Sequence, residues 1–176
     1  IETRTDGVDF LRVNSGDARH QGIEFASDYD FLAHLDGVHH LSWFASVSLL
    51  DAEITRSENA ALVGNTPAYA PDHVIKSGLI YRHRDNLKFA LTGTLVDDHF
   101  WQDSNRDGGN ATNPIAGVVP AYEVFDLTAE WSINGHIKLL GGVNNLLDES
   151  YYSRVRSDGL EPAAGRTPYL GVEFGF

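Results

Sequence analysis

The sequence contains no cysteine and no methionine. Without cysteine there is no disulfide framework, no thiolate metal site and no cysteine nucleophile. Basic residues are scarce, with 13 Lys+Arg against 25 Asp+Glu and a formal net charge of −12 over 176 residues. Binding to phosphate backbones needs clustered Lys and Arg, so no nucleic-acid partner is expected. No run approaches the roughly 18 apolar residues that a membrane-spanning helix requires. No charged-then-apolar leader opens the chain, which begins at Ile1 inside a polar segment and reads as a piece of a longer protein. His-Glu-x-x-His and Gly-x-Ser-x-Gly motifs are both missing, which leaves hydrolytic chemistry little support and no enzyme is expected.

What is present is a period of two. Leu87, Phe89, Leu91, Gly93 and Leu95 alternate with Lys88, Ala90, Thr92, Thr94 and Val96. Ile23, Phe25, Tyr29 and Phe31 are set against Glu24, Ala26, Asp28 and Asp30. Phe125, Leu127, Ala129, Trp131 and Ile133 are set against Val124, Asp126, Thr128, Glu130 and Ser132. The last run is Leu170, Val172, Phe174 and Phe176 against Gly171, Glu173 and Gly175. Less regular runs lie at 41–51, 74–82 and 137–144, and a partial strand is predicted between Val8 and Val13. About eight strands and no helix follow.

Short and long connections alternate. The short ones fall at 33–38, which contains Asp36-Gly37, at 83–86, and at Asn134-Gly135-His136. Asx-Gly pairs signal tight hairpins because both residues tolerate positive φ. Between them lie long polar segments at 55–72, 97–121 and 148–165. Outer-membrane barrels have this asymmetry, with short turns on one side and long loops on the other. Tyr29, Phe31, Tyr81, Trp131, Phe174 and Phe176 would then reach the short-turn end on the apolar face, near Trp43 and Phe89, as an interfacial girdle does. Half-buried soluble strands also alternate, so a soluble β-domain, for example one that binds carbohydrate, stays open. So does a complete small eight-stranded membrane barrel.

Several segments resemble one family. Gly142-Val143-Asn144-Asn145-Leu146-Leu147-Asp148-Glu149-Ser150-Tyr151-Tyr152 is similar to the "NLFD-x-x-Y" segment of TonB-dependent outer-membrane receptors. The stretch from Asn14 to Phe25 resembles their "N-x-G…r-x-x-G-v-E" strand entry. Gly64-Asn65-Thr66-Pro67-Ala68-Tyr69-Ala70-Pro71-Asp72-His73 resembles a later one, and Pro120-Ala121-Tyr122-Glu123-Val124-Phe125-Asp126-Leu127 another. The terminal strand resembles an outer-membrane assembly signal through Tyr169, Gly171, Phe174 and Phe176.

The resemblance implies an all-β fold. Residues 1–176 would be about eight antiparallel, up-and-down C-terminal strands of a 22-stranded transmembrane β-barrel, with plug domain and N-terminal strands absent. It implies import of ferric siderophores across the bacterial outer membrane, driven by the inner-membrane TonB complex through an absent N-terminal box. The implied partners are the ferric siderophore, that complex, the assembly machinery and the lipid bilayer, with no cofactor. Arg154-Val155-Arg156-Ser157-Asp158-Gly159-Leu160-Glu161-Pro162 followed by Gly165-Arg166 looks like the ferric-citrate type, and a Phe-Arg-Ala-Pro segment typical of haem transport is missing.

Candidate ligand residues follow. Arg154, Arg156 and Arg166 would attract an anionic chelate, since guanidinium pairs bidentately with carboxylate; a solvated basic loop explains them as well. Tyr151 and Tyr152 would line the vestibule or sit in an upper girdle. Asp103, Asn105 and Asp107 have calcium-loop spacing, but Pro114 stands where the loop needs Glu, and a solvated turn uses the same residues. The inward acids Glu24, Asp126 and Glu130 would face the plug or a wet lumen. His39-His40 at a short turn reads as surface rather than metal ligand.

Overall fold

A computed structural model describes residues 2–6, 9–13, 16–35, 37–106, 117–156 and 159–175, with side chains from residue 16 onward. Asp36, Asp107, Asn14, Ser157, Asp158 and Phe176, named above, lie outside the described residues.

Seven strands form one antiparallel sheet: β3 (Gly16–Asp30), β4 (His39–Ser57), β5 (His73–His83), β6 (Leu87–Val96), β9 (Tyr122–Asn134), β10 (Ile137–Asn144) and β13 (Thr167–Phe174). Their spatial order follows chain order, an up-and-down meander whose two outer strands are β3 and β13. The segment between Val8 and Val13 does not join this wall. Strand β2 (Asp9–Val13) pairs instead with β1 (Glu2–Asp6) as a separate hairpin. The described residues thus hold seven wall strands and a strand at Asp9–Val13, in keeping with about eight expected; only the partner of the last differs, because alternation reports a strand without naming its partner.

The register makes the faces continuous. Tyr29, Trp43, Leu79, Leu91, Leu127 and Val143 stand opposite one another in succession from β3 to β10. Directly opposed residues share a face, so this row is one apolar stripe. The parallel stripe His40, Arg82, Lys88, Glu130 and Leu140 lies on the other face. Lys88 Nζ meets Glu130 Oε1 at 2.7 Å, and Lys138 Nζ meets Glu173 Oε2 at 3.3 Å.

The apolar face is bare. Ile23 is 70% exposed and Leu170 83%, values that water would not tolerate across a whole wall but hydrocarbon would. Along β3 this face carries Ile23, Phe25 and Tyr29, interrupted by Ser27, and continues to Phe31 just beyond the strand, a span of about nine residues, which matches a tilted membrane-crossing strand. Above it the same face turns polar: Arg19 bonds Glu53 at 2.8 Å and Gln21 bonds Asp51 at 2.7 Å.

Two aromatic rings of the inner face close over glycines. Phe44 covers Gly78, and Tyr169 covers Gly142. The Asn134-Gly135 turn forms, though not by positive φ: the Asn134 Oδ1 accepts from His136 N at 2.9 Å and Ile137 N at 3.0 Å. At the neighbouring short turn Arg84 takes positive φ instead (50°).

Candidate functional site

The three long connections all leave the end of the wall opposite the short turns, and they interlock. The first runs from 58 to 72 and contains a short 3-10 turn, Ala60–Leu62. The second carries a two-residue ladder of β7 (His99–Phe100) with β8 (Val118–Val119). The third folds into a hairpin of β11 (Tyr152–Arg156) with β12 (Gly159–Pro162).

Asn105 joins the first two loops. Its Oδ1 accepts from Thr66 N at 2.7 Å and its Nδ2 donates to Thr66 O at 2.8 Å, as a backbone partner in a sheet would. Asp103 Oδ1 accepts from Ala68 N at 2.8 Å. The calcium-like spacing thus places both side-chain oxygens on neighbouring backbone. Among the described residues no group of three or more His, Asp or Glu side chains gathers to hold a metal ion.

A small apolar centre joins the second and third loops. Val119 and Val155 are 2% and 1% exposed and pack with Trp101, Tyr152 and Leu160. Tyr152 packs against this centre and remains partly exposed. Tyr151 stacks on Tyr122, with ring centroids 4.4 Å apart and planes at 21°.

The three arginines separate. Val155 faces inward, so its neighbours Arg154 and Arg156 project from the opposite face of the hairpin, both exposed. Glu161 stands opposite Arg154 and Gly159 opposite Arg156. Arg166 instead braces the loop base: its Nε donates to Leu146 O at 2.8 Å and its backbone N to Asp148 Oδ1 at 2.7 Å.

Two residues that sequence reasoning did not single out organise these loops. Asn145, 3% exposed, donates from Nδ2 to Glu149 O and Ala164 O and accepts at Oδ1 from Glu149 N. Tyr69 spans from the first loop to Val155. Both lie in segments quoted above for their family resemblance, which was the available signal. Of the inward acids, Asp126 is held by Asn145 N and Glu130 by Lys88, while Glu24 is exposed.

An apolar outer face, ion pairs inside, short turns at one end and braced loops at the other define a stretch of outer-membrane β-barrel wall. The family model described as TonB dependent receptor-like, beta-barrel matches residues 1–146, and the chain belongs to that family. The ferrienterobactin receptor of Escherichia coli (strain K12) is 28% identical over 94 residues, 53% of this chain and 12% of that receptor. The probable TonB-dependent receptor BfrD of Bordetella pertussis is 24% identical over 176 residues, 99% of this chain and 23% of its own. Among solved structures, the unliganded ferric citrate transporter FecA superposes with a TM-score of 0.77 at 25% identity, over 90% of this chain and 24% of that one. The ferric yersiniabactin uptake receptor FyuA from Yersinia pestis superposes with a TM-score of 0.72 at 21% identity, over 93% and 24%, a likeness of fold. This chain spans about a quarter or less of each. The family is one of outer-membrane receptors, not enzymes.

Proposed function

We propose that the chain supplies the C-terminal wall and three external loops of an active importer of ferric siderophores. Energy would come from the inner-membrane TonB complex acting on parts of the receptor beyond this segment. The observation that supports this reading is the β11–β12 hairpin of the third long loop, which holds Arg154 and Arg156 exposed on one face. Anionic iron chelates are bound well by paired guanidinium groups. The likeness to FecA and the exposed Arg154 and Arg156 support ferric citrate as the finer assignment within that class. Arg166 contributes by holding the loop base, and Tyr151 with Tyr122 by forming an aromatic wall beside it.

Glu24 on the inner face would meet the plug. Among the described residues β13 pairs only with β10, and an alternating strand running to Phe174 suits strand addition by the assembly machinery.

The test is uptake of radiolabelled iron by cells whose only ferric-chelate receptor carries this segment. Ferric citrate should be taken up, and Arg154→Gln with Arg156→Gln should raise the half-saturating concentration at least tenfold. Unchanged uptake in the double variant would overturn the assignment of these arginines.

A further inference from the structure

Tyr69 has a backbone that an L-residue with a bulky side chain rarely adopts, with φ at 59°. Such a conformation is strained and persists only where the surroundings over-determine it. Two sets of bonds do so. Its backbone N donates to Phe100 O at 2.7 Å, joining it to the second loop. Its hydroxyl donates to Val155 O and accepts from Val155 N at 3.1 Å, joining it to the third. A hydroxyl is the smallest side-chain group that donates and accepts at one atom. Here it bonds β11 as a neighbouring strand would, on the edge that no other described strand pairs with.

The consequence falls on Val155's neighbours. Anchoring both main-chain groups of Val155, with its side chain sealed against Val119, fixes the rotation of β11 about its own axis. Arg154 and Arg156 must then face the same way, opposite to the Val155 side chain. We infer that Tyr69 is a positioning residue for ligand capture: its hydroxyl sets the orientation of Arg154 and Arg156, so that an anionic ferric chelate meets a preorganised pair of guanidinium groups. This rests on the assignment of those two arginines to the ligand. Preorganisation raises affinity by removing the ordering cost from the binding step.

The experiment uses the full-length receptor carrying this segment, purified in detergent, with ferric citrate as the probe. Hydrogen exchange of the free receptor is measured over Tyr152–Arg156 in wild type and Tyr69→Phe. Ferric citrate affinity is measured by fluorescence quenching in wild type, Tyr69→Phe and the Arg154→Gln, Arg156→Gln double variant. Heat-modified gel migration reports that each barrel is intact. Tyr69→Phe should speed exchange over β11 and weaken ferric citrate roughly tenfold, the size of one or two net hydrogen bonds. Placed on top of the double arginine variant, it should weaken binding no further.

Unchanged exchange over β11 in Tyr69→Phe overturns the anchor. Faster exchange with unchanged affinity, while the arginine variant binds weakly, overturns the positioning role and leaves the ligand assignment standing. If wild type does not bind ferric citrate, or if the arginine variant binds it as wild type does, the ligand assignment and this inference fall together.

Discussion

Asn145 and Asp126 are joined at the rim of the wall, the backbone N of the first donating to the Oδ1 of the second at 2.8 Å. Asn145 has positive φ (51°), and its side-chain amide holds Glu149 and Ala164 across the base of the third loop. Replacing it with Ala removes the partner of backbone groups in three part-buried hydrogen bonds, each worth about 0.5–1.5 kcal/mol. Asn145→Ala is expected to speed hydrogen exchange through the loop from 145 to 166 while leaving β5 and β6 unchanged.

The two faces of β6 should respond in opposite ways to charge. Leu91 lies in the apolar stripe and Thr92 on the inner face opposite Asp126. An arginine at the lipid midplane costs about 2–4 kcal/mol. In the full receptor Leu91→Arg should sharply reduce the amount of heat-modifiable barrel in outer-membrane fractions, and Thr92→Arg should be near neutral. Equal tolerance would mean that the faces are assigned backwards.

A methyl group at Gly78 would meet Leu91 O at 2.6 Å and the Phe44 ring at 2.7 Å, whereas one at Gly135 would meet nothing within 4 Å. Overpacking of this kind costs about 1–3 kcal/mol. Gly78→Ala should lower the unfolding midpoint of the receptor in urea, and Gly135→Ala should not.

Above the apolar band, Arg56 Nε bonds Asp17 Oδ2 at 2.7 Å, and this bond holds the Asp17 carboxyl below its usual range. A carboxylate whose folded value is lowered stabilises the fold above its ordinary range, and that contribution is lost as pH falls through the lowered value. Asp17→Asn should therefore differ from wild type in hydrogen exchange at the top of β3 and β4 at about pH 6, and the difference should fade as pH drops below the ordinary carboxylate range of about 4. The pair is solvent-exposed, so the difference should shrink in high salt.

The strands, their faces and the alternation of short turns with long loops were legible in the sequence. Each depends on neighbours along the chain: successive side chains of an extended strand point to opposite sides, so hydrocarbon and water leave their marks on alternate residues. The Val8–Val13 segment marks where that reading stops, since alternation identifies a strand without saying whether it enters the wall or pairs with β1. The same limit applies to the arginines. Arg154, Arg156 and Arg166 lie close along the chain, yet two are presented on a hairpin while the third bonds Leu146 O at the loop base through its Nε. Only tertiary structure decided that, and only it brought the Tyr69 hydroxyl to Val155 across 86 positions. Contacts between loops depend on how the wall curves and how far each loop reaches, and neither quantity is written in any local pattern.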